Sequence, residues 1–154
     1  MPPTDPLSPP ITVDTDKSRL DVAMIHRFLT TSYWAQGIPL DVVERSIAGS
    51  LCFGLYEGER QVAFARVVSD GATFAYLADV FVLEECRGRG HSKAMMAAVL
   101  AHPSLQGLRR WLLATRDAHD LYAQFGFEPL HAPQVFMQRH DPDVYVAANV
   151  EVQT

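Results

Sequence analysis

The stretch Asp79-Val80-Phe81-Val82-Leu83-Glu84-Glu85-Cys86-Arg87-Gly88-Arg89-Gly90-His91-Ser92-Lys93 decides the reading of this chain. Its first residues belong to an apolar run, Phe74 to Leu83, broken by a single charge at Asp79, which predicts a central strand covered on both faces. From Ser92 the apolar positions Met95, Met96, Val99 and Leu100 recur at helical spacing and close near Pro103, which predicts an amphipathic helix. Gly88 and Gly90 lie between the two. Glycine lets backbone approach a ligand closely, and the first amides of the helix point outward at the positive end of its dipole, so this junction suits a phosphate or diphosphate. Between Cys86 and Arg116 there is no Asp or Glu, while Arg87, Arg89, Lys93, Arg109, Arg110 and Arg116 form a local basic region.

The bland reading of the same residues is a tight turn with solvated basic side chains. Other phosphate motifs fit poorly. A Walker A loop needs G-x-x-x-x-G-K-S/T, and the dinucleotide fingerprint needs a third glycine where Lys93 stands.

Outward from this stretch the chain reads as one domain over residues 11–140, between a proline-rich flexible lead-in (Met1 to Pro10) and a weakly patterned tail from Asp141. Ile11-Thr12-Val13 alternates like a short strand. Leu20, Ala23, Met24 and Phe28 share one face at helical spacing, and Pro39 precedes a second helix running to Gly49. Leu51 to Tyr56 and Gln61 to Val68 flank a polar connection containing Gly58, the pattern of a hairpin. Trp111 to Thr115 reads as a buried strand. Asp117 is placed to cap a short helix holding Leu121, Tyr122 and Phe125, Gly126 is placed to end it, and Gln134 to Arg139 reads as a last strand.

The net charge of −5 argues against a nucleic-acid or anionic-membrane face, so small-molecule partners are expected. No apolar stretch reaches spanning length and no leader pattern opens the chain, which predicts a cytosolic protein. Cys52 and Cys86 lack disulfide or zinc spacing and read as free thiols. The six histidines show no i, i+4 or H-x-H pairing, so no metal site is expected; His119 and His131 read as solvated loop residues.

Arg87-Gly88-Arg89-Gly90-His91-Ser92 resembles the acetyl-CoA signature of the GNAT (general N-acetyltransferase) superfamily, Q/R-x-x-G-x-G/A, with Ser92 in place of the final small residue. Leu121-Tyr122-Ala123-Gln124-Phe125-Gly126-Phe127 resembles the same family's L-Y-x-x-x-G-F segment, in register downstream. The resemblance implies an α/β (α+β) GNAT fold: a mixed, mostly antiparallel central sheet flanked by helices, with neighbouring parallel strands that splay apart. It implies direct acetyl transfer from acetyl-CoA to a primary amine of a small-molecule acceptor. Backbone groups of Val80, Phe81 and Val82 would hold the pantetheine arm. The amides of Arg87, Gly88, Arg89, Gly90, His91, Ser92 and Lys93 would hold the diphosphate, with added charge from the Arg89 and Lys93 side chains. Tyr122 would protonate the departing thiolate, although a tyrosine on a short helix is also an ordinary packing residue.

For the general base, Asp79 leads as the one charge in a buried strand, against the alternative that it pairs structurally. Tyr76 falls near where some family members carry a catalytic glutamate, and it would shape the amine pocket or relay a proton. The helices around Tyr33 and Trp34 occupy the region that shapes the acceptor site in relatives, and dimers are frequent among them. A non-catalytic acyl-CoA-binding module and a nucleotide-binding α/β domain stay open as other readings.

Overall fold

The computed structural model describes residues 9–146. Contacts group the chain into two compact units, the chain up to Asp21 with Ser46–Ala114, and Val22–Arg45 with the chain from Thr115 onward.

The first unit is a five-stranded mixed sheet in the order β1 (Ile11–Asp14), β2 (Leu51–Glu57), β3 (Arg60–Ser69), β4 (Phe74–Val82), β5 (Arg110–Leu113). The first four strands pair antiparallel and β5 pairs parallel to β4. Helix α3 (His91–Ala101) packs on β1 to β4 through Met95, Met96 and Val99, all buried. The strands covered on both faces are β2 and β3, where consecutive residues from Cys52 to Tyr56 and from Gln61 to Ala65 are buried. That corrects the expectation for the Phe74 to Leu83 run: β4 is fourth of five, Ala75 and Leu77 are buried, and Tyr76, Ala78, Asp79 and Val80 stay half-buried. The lead-in joins the sheet at its end, since the Gly58 amide donates to the Pro10 carbonyl at 3.0 Å. Residues 1–8 and 147–154 lie outside the described residues.

The second unit carries α1 (Val22–Thr30) and α4 (His119–Ala123), and α2 (Leu40–Ala48) begins in it. In α1 the buried residues are Met24, Ile25 and Leu29, while Ala23 is exposed, so the apolar face is turned by about one residue from the sequence reading. Asp117 does not cap α4. The residue before the helix is Ala118, whose amide donates to Thr115 Oγ1 at 3.1 Å. Gly126 ends the segment at φ 88°, as expected, and the Phe127 amide returns to the Tyr122 carbonyl at 3.2 Å. Gln134 to Arg139 forms no strand. Pro133 starts a single 3-10 turn through Val135, and Val135 and Met137 stand 69% and 99% exposed with no ladder to join.

Candidate active site

The parallel pairing of β4 with β5 stops early. It runs from Phe74 opposite Arg110 to Leu77 opposite Leu113, and β4 continues five residues past it to Val82. On the other edge β3 follows β4 throughout. Because the Leu83 amide donates to Val62 and Phe81 stands opposite Phe64, alternation assigns the ladder bonds of this stretch to Phe81 and Leu83. The backbone groups of Val80 and Val82 therefore turn toward the side where β5 has ended. One of them is engaged: Arg87 Nε donates to the Val82 carbonyl at 3.1 Å. This stretch of β4 lies where the sequence resemblance implied a splayed parallel edge, and here the edge is left by the end of β5 at Leu113.

A bulge aims that edge. Phe64 pairs with Phe81 and Arg66 with Ala78, so Asp79 and Val80 together face Ala65. Asp79 takes φ 54°, the only described non-glycine residue in the left-handed region, a conformation aspartate tolerates better than most residues. Its Oδ2 accepts from Arg66 Nε at 2.8 Å, with the two side chains 9% and 19% exposed, and Arg66 Nη1 also donates to Ser50 Oγ at 3.0 Å. Asp79 is thus held against a guanidinium inside the sheet, the structural pairing that stood as the alternative to a base. Arg66 escaped the sequence reading because it is 13 residues away and reaches Asp79 only through the strand register.

Beyond Val82 a 3-10 turn, Glu84–Cys86, leads to Gly88 and Gly90, both at φ 79°. A Cβ added at either would meet nothing within 4 Å, so conformation and not crowding demands glycine, and the turn lies open. Gly90 begins α3, whose first internal bond is from the Ala94 amide to the Gly90 carbonyl at 3.1 Å. The amides of His91, Ser92 and Lys93 therefore have no acceptor within the helix, no side chain caps them, and no acidic residue lies in the first turn. Arg87 and Lys93 are exposed here and Ser92 is half-buried.

The basic region is smaller than the sequence suggested. Arg109 and Arg110 lie at the start of β5 beside Phe74, about 25 Å of strand from the glycine turn. Arg116 belongs to the second unit, where its guanidinium sits 3.9 Å from the centre of the Tyr33 ring and its amide donates to Tyr33 Oη at 3.2 Å. Arg89 pairs with Glu57 at 2.8 Å. His91 is buried, with Nε2 2.8 Å from the same Glu57 oxygen. Cys86 and Cys52 are buried free thiols, and burial pushes the Cys52 thiol up to about 11.

In the second unit Tyr122 is buried on α4, its ring edge-on to Phe127 at 5.9 Å. Burial, with the nearby Tyr33 adding to it, raises the phenol to about 12. Tyr33 and Trp34 are 48% and 41% exposed and pack edge to face at 5.0 Å, with Phe28 beside Trp34 at 6.2 Å. Tyr76 is half-buried on β4, in register with Val68 and Leu112. His119 opens α4 and is exposed, and His131 is exposed 3.6 Å from Glu128.

The family model for the acetyltransferase (GNAT) domain matches residues 48–129, the span that holds β2 to α4. The chain belongs to the GNAT acetyltransferases. Among individual GNAT relatives, a candidate acetyltransferase of Gibberella zeae is 33% identical over 135 residues, covering 73% of this chain and 75% of that protein. The crystal structure of a candidate GNAT acetyltransferase from Xanthomonas campestris pv. campestris is 60% identical, covers 89% of this chain and 97% of its own, and superposes with a TM-score of 0.86. A candidate acetyltransferase from Clostridium acetobutylicum, solved with acetyl-CoA, shares the fold at 12% identity and a TM-score of 0.59, with 85% and 96% of the chains covered. The mixed sheet flanked by helices is thus that of a GNAT-type acetyltransferase.

Proposed function

We propose that this acetyltransferase draws its acetyl group from acetyl-CoA and passes it directly to a primary amine of a small-molecule acceptor. One observation carries the reading: the edge of β4 beyond Leu77, left without β5, runs into an open left-handed glycine turn whose helix amides lack acceptors. A strand edge accepts an extended amide-bearing arm by added ladder bonds, and the helix start accepts a diphosphate. Coenzyme A joins those two groups in one molecule, and its thioester supplies an activated acetyl carbonyl. The residues present fit it. Val80 and Val82 offer backbone groups to the arm, whereas those of Phe81 are turned to β3, and Arg87, Gly88, Arg89, Gly90, His91, Ser92 and Lys93 offer amides to the diphosphate.

Six roles fall to the chain. The strand edge positions the acetyl carbonyl, and a β4 amide stabilises negative charge on its oxygen. Arg87 and Lys93 supply positive charge beside the turn. Tyr122, by its place in the L-Y-x-x-x-G-F segment, donates a proton to the departing sulfur. A phenol raised to about 12 keeps its proton across the working pH range, and a thiolate with pKa near 8.5 in water needs only a positioned donor as charge develops. Asp79 stays in the proposal as a base only through exchange with its Arg66 bond. Tyr76, half-buried on the same strand, is assigned to shaping the amine side.

Thiol release from acetyl-CoA across a panel of amines tests the reading. Release that depends on both amine and Tyr122 is expected. Binding of acetyl-CoA without release for any amine would reduce the protein to an acyl-CoA-binding module.

A further inference from the structure

The glycine turn is open and its two glycines take left-handed conformations, so something outside the turn must hold it. The β2–β3 hairpin does so. Glu57, the last residue of β2, stands opposite Arg60, the first of β3. Glu57 Oε1 accepts from Arg89 Nη1 at 2.8 Å and from His91 Nε2 at 2.8 Å, one residue on each side of Gly90. Arg60 Nη2 binds Glu85 Oε1 at 2.7 Å and its Nη1 lies 4.0 Å from Cys86 Sγ, on the strand side of the turn. Arg89 Nη2 reaches the Glu85 carbonyl at 3.5 Å, so the two sides of the turn are also tied to each other.

The Glu57 carboxylate is the sheltered partner. Its side chain is 15% exposed and that of His91 2%, so the bond to His91 is sheltered at both ends, whereas Arg89 is 54% exposed and Arg60 and Glu85 are 57% and 60% exposed. A charge-assisted bond in a sheltered site survives salt and competing water better than an exposed pair. His91 Nδ1 is buried with no hydrogen-bond partner, so Glu57 supplies the one bond that fixes this ring. Since His91 is the first residue of α3, fixing its ring also fixes where the helix amides begin.

We infer that Glu57 is a positioning residue that holds Arg89 and His91 and thereby presets the Gly88–Gly90 turn for a diphosphate. The inference rests on the acetyl-CoA reading of that turn. It changes the role of Arg89. The guanidinium is occupied by Glu57 and acts on the ligand through the shape of the turn, while the backbone amides make the contact. A carboxylate beside an anion site would on its own repel the ligand, and its pairing with Arg89 cancels that effect.

The test combines amide hydrogen exchange of residues 84–93 in the ligand-free protein with acetyl-CoA titration, for Glu57→Ala, Glu57→Gln, Arg89→Met and the Glu57→Ala/Arg89→Met double variant. Glu57→Ala is expected to speed exchange in this segment about ten-fold, with β3 unchanged, and to weaken acetyl-CoA binding about ten-fold. The double variant should lose no more than the larger single loss, because both changes cut the same tie. Glu57→Gln, whose amide oxygen still accepts from both partners, should recover most of the affinity. Unchanged exchange in Glu57→Ala, or tighter binding there, would overturn the inference. So would additive losses, which would place Arg89 directly on the ligand. Wild-type protein that fails to bind acetyl-CoA would remove the ligand reading instead, and the exchange rates, measured without ligand, would still decide whether Glu57 holds the turn.

Discussion

Tyr122 and Asp79 look alike in the sequence, each a polar side chain in an apolar setting, and the structure separates them. Burial lifts the Tyr122 phenol to about 12, so it stays protonated over the range in which an acetyltransferase works. Tyr122→Phe should therefore lower kcat by about 100-fold while KM for acetyl-CoA moves by less than about two-fold, read by steady-state kinetics. In the wild type no alkaline fall in rate assignable to this phenol should appear below about pH 10, because a raised pKa moves its deprotonation upward. Asp79 instead sits against Arg66 at 2.8 Å in a left-handed bulge. Arg66→Met would leave that carboxylate sheltered and without its cation, which should cost about 2–3 kcal/mol in chemical denaturation, somewhat less than for a fully buried pair. A loss under about 0.5 kcal/mol would show that the pair does not hold the bulge.

At the scale of elements, strand β2 depends on a glycine for a packing reason. A Cβ at Gly54 would lie 2.5 Å from Tyr56 Oη and 2.8 Å from its Cζ, and Tyr56 is fully buried under the Arg19 guanidinium at 4.0 Å. Gly54→Ala should thus destabilise the protein by about 1–3 kcal/mol in urea unfolding, through overpacking. The β3–β4 turn is held by Asp70, which accepts from the Thr73 hydroxyl at 2.6 Å and from the Thr73 and Ala72 amides at 2.8 and 2.9 Å. Those bonds hold its carboxyl well below the ordinary carboxylate range. The sign follows: a depressed folded pKa gives stability that is full above the unfolded value of about 3.9 and is lost as pH falls through the folded one. Asp70→Ala should be less stable than wild type near neutral pH, and the gap in urea midpoint should close from about pH 4 downward. Apolar runs made β2, β3 and β4 legible, and the helical spacing of Met95, Met96, Val99 and Leu100 did the same for α3. Gln134 to Arg139 also holds a short apolar run, Val135-Phe136-Met137, but Pro133 sets a 3-10 turn there, and an apolar run cannot supply a partner strand. The Asp117 cap failed for a similar reason, since Thr115 offers a competing oxygen two residues earlier.

At the scale of the whole molecule, the glycines of the turn were readable because their chemistry is local: two left-handed positions, then a helix start without acids. The partners that hold the site were not, because Arg66 and Glu57 reach Asp79 and His91 across 13 and 34 residues of chain, and strand register makes the meeting. The basic region failed in the same way, since counting charges along the chain placed Arg109 and Arg110 near a turn that the strand carries them away from. Calorimetric titration of the purified protein with acetyl-CoA tests the central claim most directly. One site per chain with a dissociation constant in the micromolar range is predicted, and the absence of any binding heat at millimolar ligand across two temperatures would contradict it.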